Sequence, residues 1–151
     1  MGILCDYFSD PTDEAAATAA DVPGGPRAAS DPGFEVVELK GIEPVVQLGT
    51  LETILTGVDY DVVAENPRQG HAVAVRRDGE VLVVSLTDEL CAALADAPES
   101  RLHEVAVQWS ATEEFRGRAE PSILAGVLVE LAGLARRAAA RGERLYCWVC
   151  V

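Results

Sequence analysis

Two hydrophobic periods divide this chain of 151 residues. Between Pro121 and Gly142, apolar residues recur every three or four positions: Ile123, Leu124, Val127, Leu128, Leu131, Leu134, Ala135 and Ala138. That spacing is one buried face of a long helix. Pro121 suits its first turn and Gly142 a left-handed stop. Gly126 and Gly133 share a side of it, where a neighbour could approach closely. Arg136, Arg137 and Arg141 fall in its last turns, where cations favour the helix dipole. Leu145–Val151 then predicts a final strand that belongs inside a sheet.

The same reading places the other elements. Ile3–Phe8 reads as a strand. Ser9–Glu14 opens a helix that runs to about Asp21. Val22–Gly33, rich in proline and glycine, is a loop, and Phe34–Leu39 is a strand. Pro44 starts a helix whose buried face is Val45, Leu48, Leu51, Ile54 and Leu55, stopped by Gly57. Val58–Glu65 and Asn66–Gly70 read as connecting segments. His71–Arg76 and Val81–Leu86 flank Asp78-Gly79, a hairpin signal. Thr87 caps the next helix, which Pro98 ends. Ser100–Glu104 is ambiguous, and Val105–Trp109 reads as a strand or as a loop entering a site. Thr112–Phe115 begins a short helical turn, and Arg116–Glu120 is a loop. The expected fold is a single α+β domain over residues 1–151. Helices pack on a mixed or antiparallel sheet, and the long C-terminal helix is followed by a final strand.

Charge narrows the function classes. The formal net charge is −13. Residues 1–65 hold 13 acids against Arg27 and Lys40, while residues 66–151 hold 12 acids against 10 arginines. Such a balance repels phosphate backbones and anionic lipid, so neither nucleic acid nor a membrane is an expected partner. A basic protein is. No apolar run is long enough to span a bilayer. The N-terminus lacks a basic region ahead of an apolar one, so no signal peptide is read and a cytoplasmic location is expected. Cys5, Cys91, Cys147 and Cys150 are then reduced thiols. Lys40 is the only lysine and alanine is abundant, the bias of a GC-rich bacterial genome.

Several stretches together resemble the YfbM-like family of small bacterial proteins of unknown function. They are Met1-Gly2 with Tyr7-Phe8, the helix ending Leu51-Glu52-Thr53-Ile54-Leu55-Thr56-Gly57, the helix opening Thr87-Asp88-Glu89-Leu90, and the terminal helix with Gly142 and the closing strand. The resemblance implies a fold class and no activity. Where that family usually carries polar and aromatic residues, this chain has Val45, Val46, Leu48 and Glu52.

Candidate chemistry is sparse. Cys147-Trp148-Val149-Cys150 has the spacing of a redox pair or half a zinc site. On a strand, however, residues three apart face opposite sides, about 10 Å apart, and a disulfide needs Cα atoms within about 7 Å. Both cysteines are therefore expected to be packing residues, with Cys5 a neighbour if the first and last strands pair. Asp59 and Asp61, with Tyr60 between, could hold a hard cation or act as paired carboxylates, or simply solvate a turn. Glu113 and Glu114 near Trp109 form a second acidic group with an interface anchor, or a core tryptophan with exposed acids beside it. His71 and His103 have no motif partner. No phosphate loop, metal set or catalytic triad is read, and no cofactor is expected. The expected function is a protein-interaction or regulatory module of the immunity type, monomeric or a small homo-oligomer, working through an acidic face. The alternatives are a small enzyme or ligand-binding protein using the loop carboxylates, and a thiol or metal protein built on Cys147 and Cys150.

Overall fold

The computed structural model describes residues 3–28, 35–39 and 41–151. Phe34 and Lys40 lie outside the described residues. The centre of the fold is the last strand, β5 (Arg144–Cys150). It pairs antiparallel with β1 (Leu4–Asp10) on one side and with β4 (Val81–Ser85) on the other. β2 (Val36–Glu38) extends the sheet beyond β1, and β3 (Ala72–Arg76) pairs with β4 through the expected hairpin. The order is β2-β1-β5-β4-β3, antiparallel throughout.

Alternation along β1 and β5 separates two cores. Cys5, Tyr7, Leu145, Cys147 and Val149 face the larger one. The helices over it are α2 (Val46–Thr56), α4 (Asp88–Asp96), α5 (Glu99–Ser110) and α6 (Pro121–Arg141). Phe8, Tyr146 and Trp148 face the smaller core, covered by α1 (Asp13–Ala17) and the 3-10 turn Thr18–Asp21. α3 (Tyr60–Glu65) packs on α2.

The long helix follows its pattern, with Leu124, Leu128, Leu131, Leu134, Ala135 and Ala138 buried. Ile123 is instead exposed. Gly126 has open space around it, and Gly133 faces only its own helix's Arg137, so neither glycine admits a neighbouring backbone. Arg136 donates to the carbonyls of Ala95 and Ala97, satisfying the C-terminal end of α4 rather than its own.

Two regions differ from the sequence expectation. Val105–Trp109 lies within α5, neither strand nor loop. Its buried positions Leu102, Val105, Ala106 and Trp109 are a helical stripe, which the local Val-Ala-Val alternation masks. Tyr60 and Asp61 are also not in a loop, since α3 begins at Tyr60, with Asp59 at its N-cap.

The charge asymmetry of the sequence is offset in space at three acids. Acids of the first half meet arginines of the second: Asp13 with Arg68, Asp21 with Arg76, and Glu35 with Arg137 and Arg141. Among the described residues, no helix is long and apolar enough to cross a membrane.

Candidate functional site

A cavity of about 600 Å³ opens between β1, the start of α2 and the turn after α5. Ile3, Cys5, Gly41 and Val46 form its less polar wall. Glu43, Gln47, Glu113, Glu114 and Arg116 supply its polar groups.

Each wall has a local cause. Glu43 accepts from the amide of Val45 at 2.8 Å and from the amide of Gln47, while the Gln47 side chain accepts from the Glu43 amide at 2.7 Å. This reciprocal arrangement resembles a capping box, with an acid and an amide four residues apart. It fixes the start of α2 against the cavity and fills its free amides with a carboxylate. Gln47 is held from the other side too, because the Trp109 indole donates to its carbonyl at 3.0 Å. Trp109 meets Phe115 edge-to-face, with centroids 5.1 Å apart. Phe115 closes a 3-10 turn, Glu113–Phe115, which displays Glu113 and Glu114 at the rim. Arg116 follows at φ 53°, a left-handed conformation that turns the chain back. Thr50 donates to Glu114 at 3.3 Å.

Cys5 belongs to this cavity and to a thiol pair. β1 and β5 are neighbours, with Tyr7 opposite Cys147 and Cys5 opposite Val149. Cys5 and Cys147 are therefore diagonal on one face, and the Cys147 thiol donates to the Trp148 carbonyl at 3.6 Å. The neighbouring Cys147 thiol draws the Cys5 thiol below its ordinary value, against burial and the nearby Glu43 and Asp6. Cys147 is fully buried, and burial pushes its thiol well up. Cys150 is half-buried on the opposite face and has no part in the pair.

The structure sorts the sequence candidates. Glu113 and Glu114 line the cavity. Trp109 is completely buried and lies behind it, the core tryptophan with acids beside it rather than a surface anchor. Asp59 and Asp61 are exposed at the start of α3 and do not line the cavity, and Tyr60 rests against Gly49 of α2. Cys5, Glu43, Gln47 and Arg116 also line the cavity, and the chain pattern does not mark them as cavity residues. The Glu43–Gln47 spacing ahead of an apolar stripe was the available signal for two of them. Among the described residues, no three His, Cys, Asp or Glu side chains are grouped to hold a metal ion.

Two other buried acids stand apart from the cavity. Glu52 accepts from the Thr87 hydroxyl, and burial raises its carboxyl above the ordinary range despite that bond. Asp6 lies 3.1 Å from the Arg27 guanidinium, and its burial also raises it, against the pull of Arg27.

Comparison with family models, with curated proteins and with solved structures returns no match. The functional reading therefore rests on geometry.

Proposed function

We propose that this chain is a binding protein whose cavity receives a cation carried on an apolar body. The observation that carries the reading is the cavity itself, three carboxylates against one guanidinium around a partly apolar wall. Its size falls in the range of small-molecule sites, roughly 300–1,000 Å³. Glu113 and Glu114 have no ion-pair partner among the described residues, so their charge is available to a ligand. Glu43 already serves α2 and contributes charge more than contact. An ammonium group at the rim with a short aliphatic stem against Ile3 and Val46 matches both sets of groups.

A broad acidic face for a basic protein draws less support, because arginines already cover several of the acids that would form it.

The test uses 1,6-diaminohexane, with 1,6-hexanediol as its uncharged counterpart, followed by calorimetry at low and high salt. The diamine is expected to bind saturably at one site and weaken as salt rises. Glu113→Gln with Glu114→Gln is expected to lower its affinity about tenfold or more. Equal binding of diamine and diol, or no saturable diamine binding, refutes the reading.

A further inference from the structure

A separate cavity of about 230 Å³ lies on the face of the sheet that carries Trp148, opposite the face of Cys5. Three strand ends meet there, with Leu4 of β1 and Val81 of β4 both paired to Cys150 of β5. Leu4, Val22, Val81 and Trp148 give the cavity an apolar wall, and Arg77 and Asp21 are its charged residues.

Trp148 is 4% exposed, and its indole N–H has no hydrogen-bond partner among the described residues. Asp6, its register partner on β1, lies 3.1 Å from the Arg27 guanidinium and gives the indole no bond. Gly25 presses on the ring so closely that an added Cβ would lie 2.9 Å from it. The other indole is satisfied, since Trp109 donates to the Gln47 carbonyl at 3.0 Å. A buried donor without a partner costs stability. An acceptor brought to Trp148 would relieve that cost.

Arg77 is a second uncommitted donor. It is exposed, adopts φ 52°, and has no ion-pair partner among the described residues. Asp21 is already engaged, because both its oxygens accept from Arg76, at 2.7 and 3.2 Å. The free polar groups of the cavity are therefore a guanidinium and an N–H donor beside an apolar wall.

We propose that this cavity binds a small aliphatic monocarboxylate. The carboxylate pairs with Arg77 and accepts from the Trp148 indole, while the alkyl group lies against Leu4, Val22 and Val81. Its two oxygens offer about four acceptor positions, enough for a guanidinium fork and one further donor. A phosphate dianion fits less well. It would bring a second negative charge beside Asp21 with no second free cation lining the cavity. The volume falls below the roughly 300–1,000 Å³ of drug-sized sites, which limits the ligand to a short chain. The indole nitrogen is closed to solvent, so binding must move a part-exposed wall side chain, Leu4 or Cys150. This site is independent of the cation-binding cavity.

The probe is 3-methylbutanoate, with 3-methylbutanamide as its uncharged counterpart and inorganic phosphate as a different anion. Binding is read on the indole N–H signals of the isotope-labelled full chain, which has two tryptophans. The acid is expected to shift the Trp148 signal saturably and to leave Trp109 in place as the internal reference. The amide and phosphate are each expected to bind about tenfold more weakly or worse, and Arg77→Gln to weaken the acid by a similar factor. Arg77 is exposed, so this variant should keep the parent melting temperature. Absence of a saturable Trp148 shift with the acid overturns the proposal, even where other signals move. Equal affinity for acid and amide, or unchanged affinity in Arg77→Gln, overturns the role of Arg77. Equal affinity for phosphate overturns the carboxylate class. Competition by 1,6-diaminohexane overturns the independence of the two cavities.

Discussion

Thr87→Val tests the buried polar link between α2 and α4. The Thr87 hydroxyl has two partners. It accepts from the Leu90 amide at 3.1 Å, capping α4, and it donates to the Glu52 carboxylate. Thr87 is 1% exposed and Glu52 4% exposed, so water cannot readily replace either bond. Valine has nearly the same shape, so the substitution leaves no cavity and isolates the hydroxyl. Losing the cap costs about 1 kcal/mol. Losing a hydrogen bond to a buried charged group costs about 1.5–3 kcal/mol. The expected loss is about 2.5–4 kcal/mol, a large share of the ~5–15 kcal/mol that holds a domain folded. With a urea slope of about 2 kcal/mol per molar, the unfolding midpoint should fall by roughly 1.5 M.

Thr87→Ser keeps the hydroxyl and should stay much closer to the parent. In a Glu52→Leu background, Thr87→Val should cost only the cap, about 1 kcal/mol, so the two sites couple by about 1.5 kcal/mol or more. The penalty should also shrink in acid. The folded pKa of Glu52 is raised, so its carboxyl protonates above the ordinary 4.5, and the bond to charge disappears as pH falls through that value. A midpoint shift under about 0.3 M, or a coupling under about 0.5 kcal/mol, would refute the reasoning.

Gly25 has φ 87°, and an added Cβ would lie 2.9 Å from the Trp148 ring. Gly25→Ala should therefore combine backbone strain of about 1–2 kcal/mol with overpacking of about 1–3 kcal/mol, read as a lower melting temperature. Gly24→Ala shares the positive φ but meets only the Ala28 Cβ at 3.5 Å, so it should cost the strain alone. Asp13 is held by Arg68 and by the Tyr146 hydroxyl at 2.6 Å, and these bonds lower its pKa below the ordinary 3.8. Its contribution is present above that value and lost as pH falls through the lowered one. Asp13→Asn should therefore destabilise at neutral pH, with the difference fading in strong acid, as followed by denaturation at a series of pH values.

Much of the fold was legible because its elements carry local signals. Pro121, the apolar stripe and Gly142 mark α6 without reference to anything else. Asp78-Gly79 marks the hairpin, and Thr87 marks the start of α4. The opposite orientation of Cys147 and Cys150 follows from strand geometry alone. α5 was obscured because Val105-Ala106-Val107 carries strand periodicity inside a helical stripe. The cavity was less legible still. Glu113 and Glu114 stand out as charges near a tryptophan, but Cys5 and Glu43 join them only through the pairing of distant elements. The ion pairs between the two halves were hidden for a related reason. Counting acids along the chain separates Asp13 from Arg68 and Glu35 from Arg141, whereas folding puts them side by side.

The position of β5 has a kinetic consequence. Without it the sheet is two disconnected pairs, β1 with β2 and β3 with β4, and isolated two-stranded pieces are marginal in water. All four of those strands precede β5 in the chain. They must wait with open edges until it arrives, so the contacts that complete the sheet are among the most distant in sequence. Folding is then expected to be slow for a domain so rich in helix. Hairpin and helices can form early, but cooperative stability arrives in one late step, when a single strand zips both edges closed.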